Sequence, residues 1–182
     1  MDEARVISLA GVFDPGDAEL ANAATEDRAA FAAIYERHRT PVYRYLRART
    51  ASDADAQDLT ATTFERAMGA IHRFQPVGGG MIAWLIRIAR NAHSDALRQQ
   101  RRRGTELGSD AAEPAIDSAD DTVILRSLID GLPETQREAI QLRFAAGLTA
   151  REIGGVLGIS QAAAQKHVER GVQALKEAYR VD

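Results

Sequence analysis

Apolar residues in this 182-residue chain recur at helical spacing in two separate blocks, and no stretch alternates apolar and polar over the length of a strand. In the first block Phe31, Ile34, Tyr35, Val42, Tyr45 and Leu46 repeat at three- and four-residue intervals. Pro41 interrupts that run and predicts a kink or a restart of the helix. Ser52 to Asp55 offer a cap for a second helix bearing Leu59, Phe64, Ala67 and Ile71. Gln75 to Gly80 read as a loop, and a third helix is expected from about Met81 to Arg103. Residues 104–120 hold Gly104, Gly108, Pro114 and five acids, the composition of a solvated, self-repelling linker. The second block begins near Asp121 with Val123, Ile124, Leu128 and Ile129, breaks at Gly131 to Glu134, and resumes with Ala139, Ile140, Leu142 and Phe144. The expected fold class is therefore all-α, two small helical domains joined by an acidic flexible linker.

Charge follows the same division. The total is only -3, but residues 1–27 carry -6, residues 28–103 carry +8, residues 104–130 carry -6 and residues 131–182 carry +1. Such asymmetry points to a polyanionic partner for the basic block. Residues 1–25 have little periodicity and a turn signal at Asp14 to Asp17, so they read as a flexible acidic tail. Tail and linker are both placed to screen the basic helix 84–103 at low salt. There is no cysteine, which excludes disulfides, thiolate zinc sites and a cysteine nucleophile. No apolar run matches a membrane helix, and Met1 to Arg5 lack a secretory pattern, so a cytoplasmic location without membrane insertion is expected. His38, His72, His93 and His167 lack metal-ligand spacing, and no nucleophile elbow, phosphate loop or dinucleotide fingerprint occurs. The sequence thus predicts no enzyme, no cofactor and no metal.

The strongest local pattern spans Leu148 to Val168. Thr149 and Glu152 form a capping box, Ile153, Val156 and Leu157 a buried stripe, Gly158 a tight turn, Ile159 a plug and Ser160 a second cap. Ala164, Val168, Val172, Leu175 and Tyr179 line one face of the helix that follows, with Lys166, Glu169, Arg170 and Gln173 on the other. This is a helix-turn-helix, whose second helix enters the DNA major groove. A plain helical hairpin is the alternative for this segment taken alone. In the helix after Trp84, Ile82, Leu85, Ala89, Ala92 and Ala96 fall on a core arc. Ile88, Asn91, Asp95 and Arg98 share a second stripe flanked by Arg87, Arg90 and Arg101. Such a stripe suits base contacts between phosphate-holding arginines. The alternative is a solvated face whose polar residues bond only one another.

Four segments in order resemble sigma factors of the sigma-70 family, specifically the small two-domain extracytoplasmic-function group. They are Phe31 to His38, Asp55 to Phe64, the pattern from Trp84 through Ile88, Ala89, Arg90, Asn91 and Asp95 to Arg98, and Leu132-Pro133 with Gln136 to Glu138 before the helix-turn-helix. The resemblance covers residues from about 26 to 180 and implies domain 2 over 26–103 and domain 4 over 121–182. It implies binding to RNA polymerase core, recognition of the minus-ten and minus-thirty-five promoter elements, and initiation of transcription. Phe74, Trp84, Arg87, Ile88, Arg90, Asn91, Asp95 and Arg98 would serve the minus-ten strand, with a flipped base held between the Phe74–Gly80 loop and the Ile88/Asn91 face. Ser160, Gln161, Gln165, Lys166, His167, Glu169 and Arg170 would face the minus-thirty-five groove. Asp53, Asp55, Asp58, Leu59, Thr62 and Phe64 would meet the beta-prime clamp coiled coil, while domain 4 touches the beta flap. An anti-sigma factor is the expected regulator.

The sequence departs from the family at two places. Gln165, Lys166 and His167 stand where a basic residue, Ser and Arg are usual, so the promoter sequence does not carry over from relatives. Ala61 and Thr62 replace a frequent Gln and acid, although Asp53, Asp55 and Asp58 keep the patch negative. A phosphate on Thr62 would restore the missing charge. A stand-alone regulator would leave residues 26–103 without a task, and a sigma mimic that titrates anti-sigma factors would not need Trp84, Asn91 and Arg98.

Overall fold

The computed structural model describes residues 15–76, 78–107 and 120–179. The described residues contain helices and no strand. Helix α1 spans Pro15–Ala23, α2 Arg28–Arg47, α3 Asp53–Ala70, α4 Gly80–Leu107, α5 Asp120–Asp130, α6 Glu134–Ile140, α7 Ala150–Leu157 and α8 Gln161–Tyr179. A 3-10 turn, Ile71–Arg73, follows α3, and a π-helical turn, Gln141–Ala145, follows α6.

One expectation for the N-terminal half changes, and another narrows because α2 does not restart at Pro41. Part of the expected flexible tail is α1, whose Ala21 is buried and whose Asp17 reaches Arg37 at 2.7 Å and His38 at 3.2 Å. Pro41 lies inside an uninterrupted α2. Its missing N–H costs about 3 kcal/mol, and the apolar stripe on both sides offsets that cost. Phe31, Ile34, Val42, Tyr45 and Leu46 are all buried, the last four completely. Asp27 caps α2 by accepting from the Ala29 amide at 2.8 Å, and Ser52 caps α3 by accepting from the Asp55 amide at 3.1 Å. Along α3, Thr60 and Thr63 donate their hydroxyls to the carbonyls four residues back, which lets two polar residues enter the core.

Helix α4 packs against α2 and α3 through Met81, Ile82, Leu85, Ala89 and Ala92, close to the predicted arc. It also packs against α7 of the C-terminal half. Residues 108–119, most of the expected linker, lie outside the described residues.

The helix-turn-helix forms as the sequence predicts. The Glu152 amide donates to the Thr149 hydroxyl at 3.3 Å, and the Thr149 amide donates to Glu152 Oε2 at 2.7 Å. Gly158 closes α7 at φ 70°, in the left-handed region open to glycine. Ser160 then caps α8 by accepting from the Ala163 amide at 3.2 Å. Two apolar residues expected on core stripes face solvent instead: Phe144 is 66% exposed and Tyr179 is 69% exposed. Phe144 lies two residues beyond the fully buried Leu142 in the π turn, about half a turn away and so on the opposite side. Tyr179 sits in the last turn of α8, beyond the buried Ala164, Val168 and Gly171.

Core residues of the two halves form one continuous cluster, running from Ile34, Leu46 and Leu85 to Leu142, Ile153 and Val168. No helix among the described residues is long and apolar enough to cross a membrane.

Candidate nucleic-acid interface

The α8 face is built from the cap outward. Ser160, Gln161, Gln165, Lys166, Glu169 and Arg170 are exposed, and positions 165/169 and 166/170 stand one turn apart. Gln165 donates to Glu169 at 2.9 Å, which fixes those two side chains in register. Lys166 and Arg170 have no ion-pair partner among the described residues. Their charges are available to a polyanion. His167 differs from its neighbours: it is half-buried, and its Nδ1 is buried without a hydrogen-bond partner. It stands at the edge of the polar face.

On α4, Asn91 and Arg98 are exposed and Ile88 and Asp95 are half-buried, so the predicted stripe is a real surface. Asp95 accepts from Arg66 of α3 at 2.7 Å and also from Arg98. The Arg66 hydrogen bond, then that of Arg98, holds the Asp95 carboxyl below the usual carboxylate range. The sequence reading missed Arg66, because a pair between helices leaves no local spacing signal. Phe74 and Trp84 meet edge to face with ring centroids 5.5 Å apart, at the entrance to α4. Gly78, Gly79 and Gly80 all adopt positive φ, from 60° to 95°, a path that side chains would strain. Val77 of this loop lies outside the described residues.

Arg87 and Arg90 do not point freely into solvent. Arg87 donates to the Gly155 carbonyl of α7 at 3.3 Å. Arg90 lies 2.8 Å from Glu138 Oε1 through its Nε and donates to Oε2 at 3.2 Å through Nη2. Glu138 is 5% exposed. It also accepts from the Tyr45 hydroxyl at 3.2 Å and lies 3.9 Å from Arg49. Burial pushes the Tyr45 phenol up, so it stays a donor. Nearby His93 is half-buried; burial, then the Arg49 charge, pushes its imidazole down. Arg49, Tyr45 and the burial of Glu138 escaped the sequence reading, since their partners lie some 90 residues apart.

The acidic patch sits on the first turns of α3, where carboxylates also favour the helix dipole. Asp53, Asp55 and Asp58 are exposed, while Leu59 and Thr62 are half-buried. Tyr43 donates to Asp53, and Ser52 donates to Asp55 at 2.7 Å. Phe64, expected with this patch, is 4% exposed and packs edge-on against Tyr35 at 4.8 Å. It anchors α3 to α2 and offers no surface to a partner. No metal-ligating cluster occurs among the described residues.

Comparison with known proteins gives one answer. Residues 34–103 match the family model for sigma-70 region 2, and residues 122–175 match that for sigma-70 region 4. The chain is 36% identical over 154 residues to RNA polymerase sigma factor CarQ of Myxococcus xanthus, covering 81% of this chain and 88% of that one. It is 32% identical over 174 residues to ECF RNA polymerase sigma factor SigK of Mycobacterium sp. (strain KMS), covering 88% of each. Among solved structures, CnrH in complex with the cytosolic domain of CnrY superposes with a TM-score of 0.69 at 26% identity, over 93% of this chain and 99% of that chain. The sigma factor RpoE, in complex with the anti-sigma factor NepR from Bartonella quintana, superposes with a TM-score of 0.59 at 25% identity, over 84% of this chain and 98% of that one. Two polar helix faces on a helical core, both sigma-70 regions in order and relatives of the same kind matched over 88% of their length make this chain a member of the ECF RNA polymerase sigma factors, transcription initiation factors that act with RNA polymerase on promoter DNA.

Proposed function

We propose that the two polar helix faces divide promoter recognition between them. The observation that carries this reading is their separation: one stripe on α4, exposed at Asn91 and Arg98, and one exposed on α8, with the shared core between. Helix α8 lies in the intact major groove of the minus-thirty-five element, with Ser160 and Gln161 at its entering end and Gln165, Lys166, Glu169 and Arg170 toward the bases and phosphates. His167 supports that face from its half-buried position. Helix α4 takes the opened minus-ten strand. Taking a base out of the stack costs a few kcal/mol, and capture beside Ile88, Asn91, Phe74 and Trp84 offsets it. Asp95, fixed between Arg66 and Arg98, keeps this surface in one conformation before DNA arrives. Arg87, Arg90 and Arg98 hold phosphate.

Asp53, Asp55, Asp58, Leu59 and Thr62 form the surface for the clamp coiled coil of the beta-prime subunit, and the C-terminal half meets the beta flap. An anti-sigma factor controls the chain; two similar structures are described as complexes, one with the cytosolic domain of CnrY and one with an anti-sigma factor. The test is reconstitution of the purified chain with core polymerase on genomic DNA. Defined transcripts absent with core alone are expected. Transcription no different from core alone, with no complex formed, would overturn the proposal.

A further inference from the structure

Helix α8 carries one regular column of polar side chains. Gln165, Glu169, Gln173 and Glu177 stand at four-residue intervals and are all exposed, so they share one side of the helix. Within the column each glutamine donates its amide to the glutamate one turn on, Gln165 to Glu169 at 2.9 Å and Gln173 to Glu177 at 2.7 Å. An ionised carboxylate accepts and never donates. Glu169 therefore fixes the Gln165 amide, with its NH2 toward the acid and its carbonyl oxygen turned away. The Gln165/Glu169 pair shows hydrogen-bond acceptors to whatever meets it. Glu169 has no ion-pair partner among the described residues, although Lys166 and Arg170 share its face.

A carboxylate left unpaired on a surface that meets DNA repels phosphate, so Glu169 is no backbone contact. Only a donor on a base edge offsets that repulsion. In the major groove the donors are the exocyclic amino groups, N4 of cytosine and N6 of adenine. Adenine sets its acceptor N7 beside N6, whereas cytosine shows no acceptor of its own. We propose that the Gln165/Glu169 pair is a specificity-determining element of α8, which selects a cytosine in the upstream promoter element through its N4 amino group and rejects a thymine at the same place. Thymine O4 would meet the carboxylate as a second acceptor, so the pair works by exclusion as well as by attraction. This assignment rests on the placement of α8 in the major groove proposed above. Gln173 and Glu177 repeat the same chemistry eight residues on, about 12 Å along the axis. A recognition helix turns its N-terminal residues to the bases. The second pair therefore lies beyond the base edges and is an internal control.

The test presents the full chain, bound to core polymerase, with promoter DNA randomised across the upstream element, and counts the sequences retained. The wild type should enrich cytosine at one position of that element. Glu169→Ala should lower the preference for cytosine over thymine there by about tenfold. It should leave the other positions alone and tighten binding to unselected DNA, because a negative charge is gone. Glu169→Gln keeps the size of the side chain and exchanges one acceptor oxygen for an NH2 donor, so it should take thymine as readily as cytosine. Gln165→Ala should weaken the preference at the same position, and Glu177→Gln should leave every preference as in the wild type. The helical circular dichroism of each variant should match the wild type, since all three side chains are exposed. Selection in which no cytosine depends on Glu169 would overturn the proposal, and so would a Glu169→Ala effect spread evenly over all positions. A Glu177→Gln chain that shifts selection as much as Glu169→Gln would overturn it too. A wild-type chain that binds core polymerase yet enriches no upstream element would overturn the placement of α8 in the groove, and this proposal with it. A chain that binds no core polymerase would overturn the sigma reading itself.

Discussion

Asn91 and Asp17 show how single side chains in this molecule do different work. Asn91 is exposed in the middle of the α4 stripe and contributes little to the core. Asn91→Ala is therefore expected to slow promoter opening, read by permanganate reactivity of unpaired thymines, while leaving core-polymerase affinity near the wild-type value. Asp17 is structural. Burial alone pushes the Asp17 carboxyl up, but the hydrogen bond and charge of His38, followed by those of Arg37, outweigh burial and hold the carboxyl below its ordinary range. Its stabilising contribution is thus complete above the ordinary carboxylate range and is lost as pH falls through the depressed native value. Urea unfolding of Asp17→Asn should show a deficit near neutral pH that narrows to nothing in acid. A deficit that stays constant would mean that charge is not the source. Asp17 was unreadable in advance: its partners lie some 20 residues away, and only Leu20 and Ala21 mark α1 as a packed helix.

Among the elements, those with their own end signals were legible. Thr149, Glu152, Gly158 and Ser160 set the helix-turn-helix by local hydrogen bonds and one left-handed glycine, and each acts where the sequence places it. The predicted α4 arc is likewise local, since a long amphipathic helix repeats its own core face. Pro41 and Phe144 were not legible in the same way: the stripe of α2 carries the helix through Pro41, and Phe144 stands about half a turn from the fully buried Leu142. Phe64 was legible as part of the α3 apolar stripe, and its packing against the Tyr35 ring follows from that. A Cβ on Gly154 would stand 2.7 Å from the Ile159 carbonyl oxygen, inside the turn itself. Gly154→Ala should therefore lower the melting temperature and weaken duplex binding. Thr149→Ala should cost about 1 kcal/mol by loss of the cap, measured by chemical denaturation.

For the whole molecule, charge segregation told more than total charge. The +8 block holds the α4 arginines, and the acidic cluster of α3 sits apart from them at the start of its helix. How the two halves meet was hidden, because Glu138 pairs with Arg49 and with Arg90 across dozens of residues and no periodicity records it. Their packing also changes what truncation does. Removal of residues 1–25 takes away α1, with buried Ala21 and the Asp17 pairs. It should lower thermal stability.

Sequencing the 5′ ends of transcripts made by core polymerase with the wild-type chain, and with Lys166→Ala and Arg170→Ala, tests the division of labour most directly. The wild type should start at promoters sharing two spaced elements. If Lys166 and Arg170 read bases, each substitution should cost about 1–3 kcal/mol and relax only the upstream element. Starts that share no paired elements, or variants that lose selectivity at the downstream element instead, would contradict the assignment of α8 to intact duplex and α4 to the opened strand.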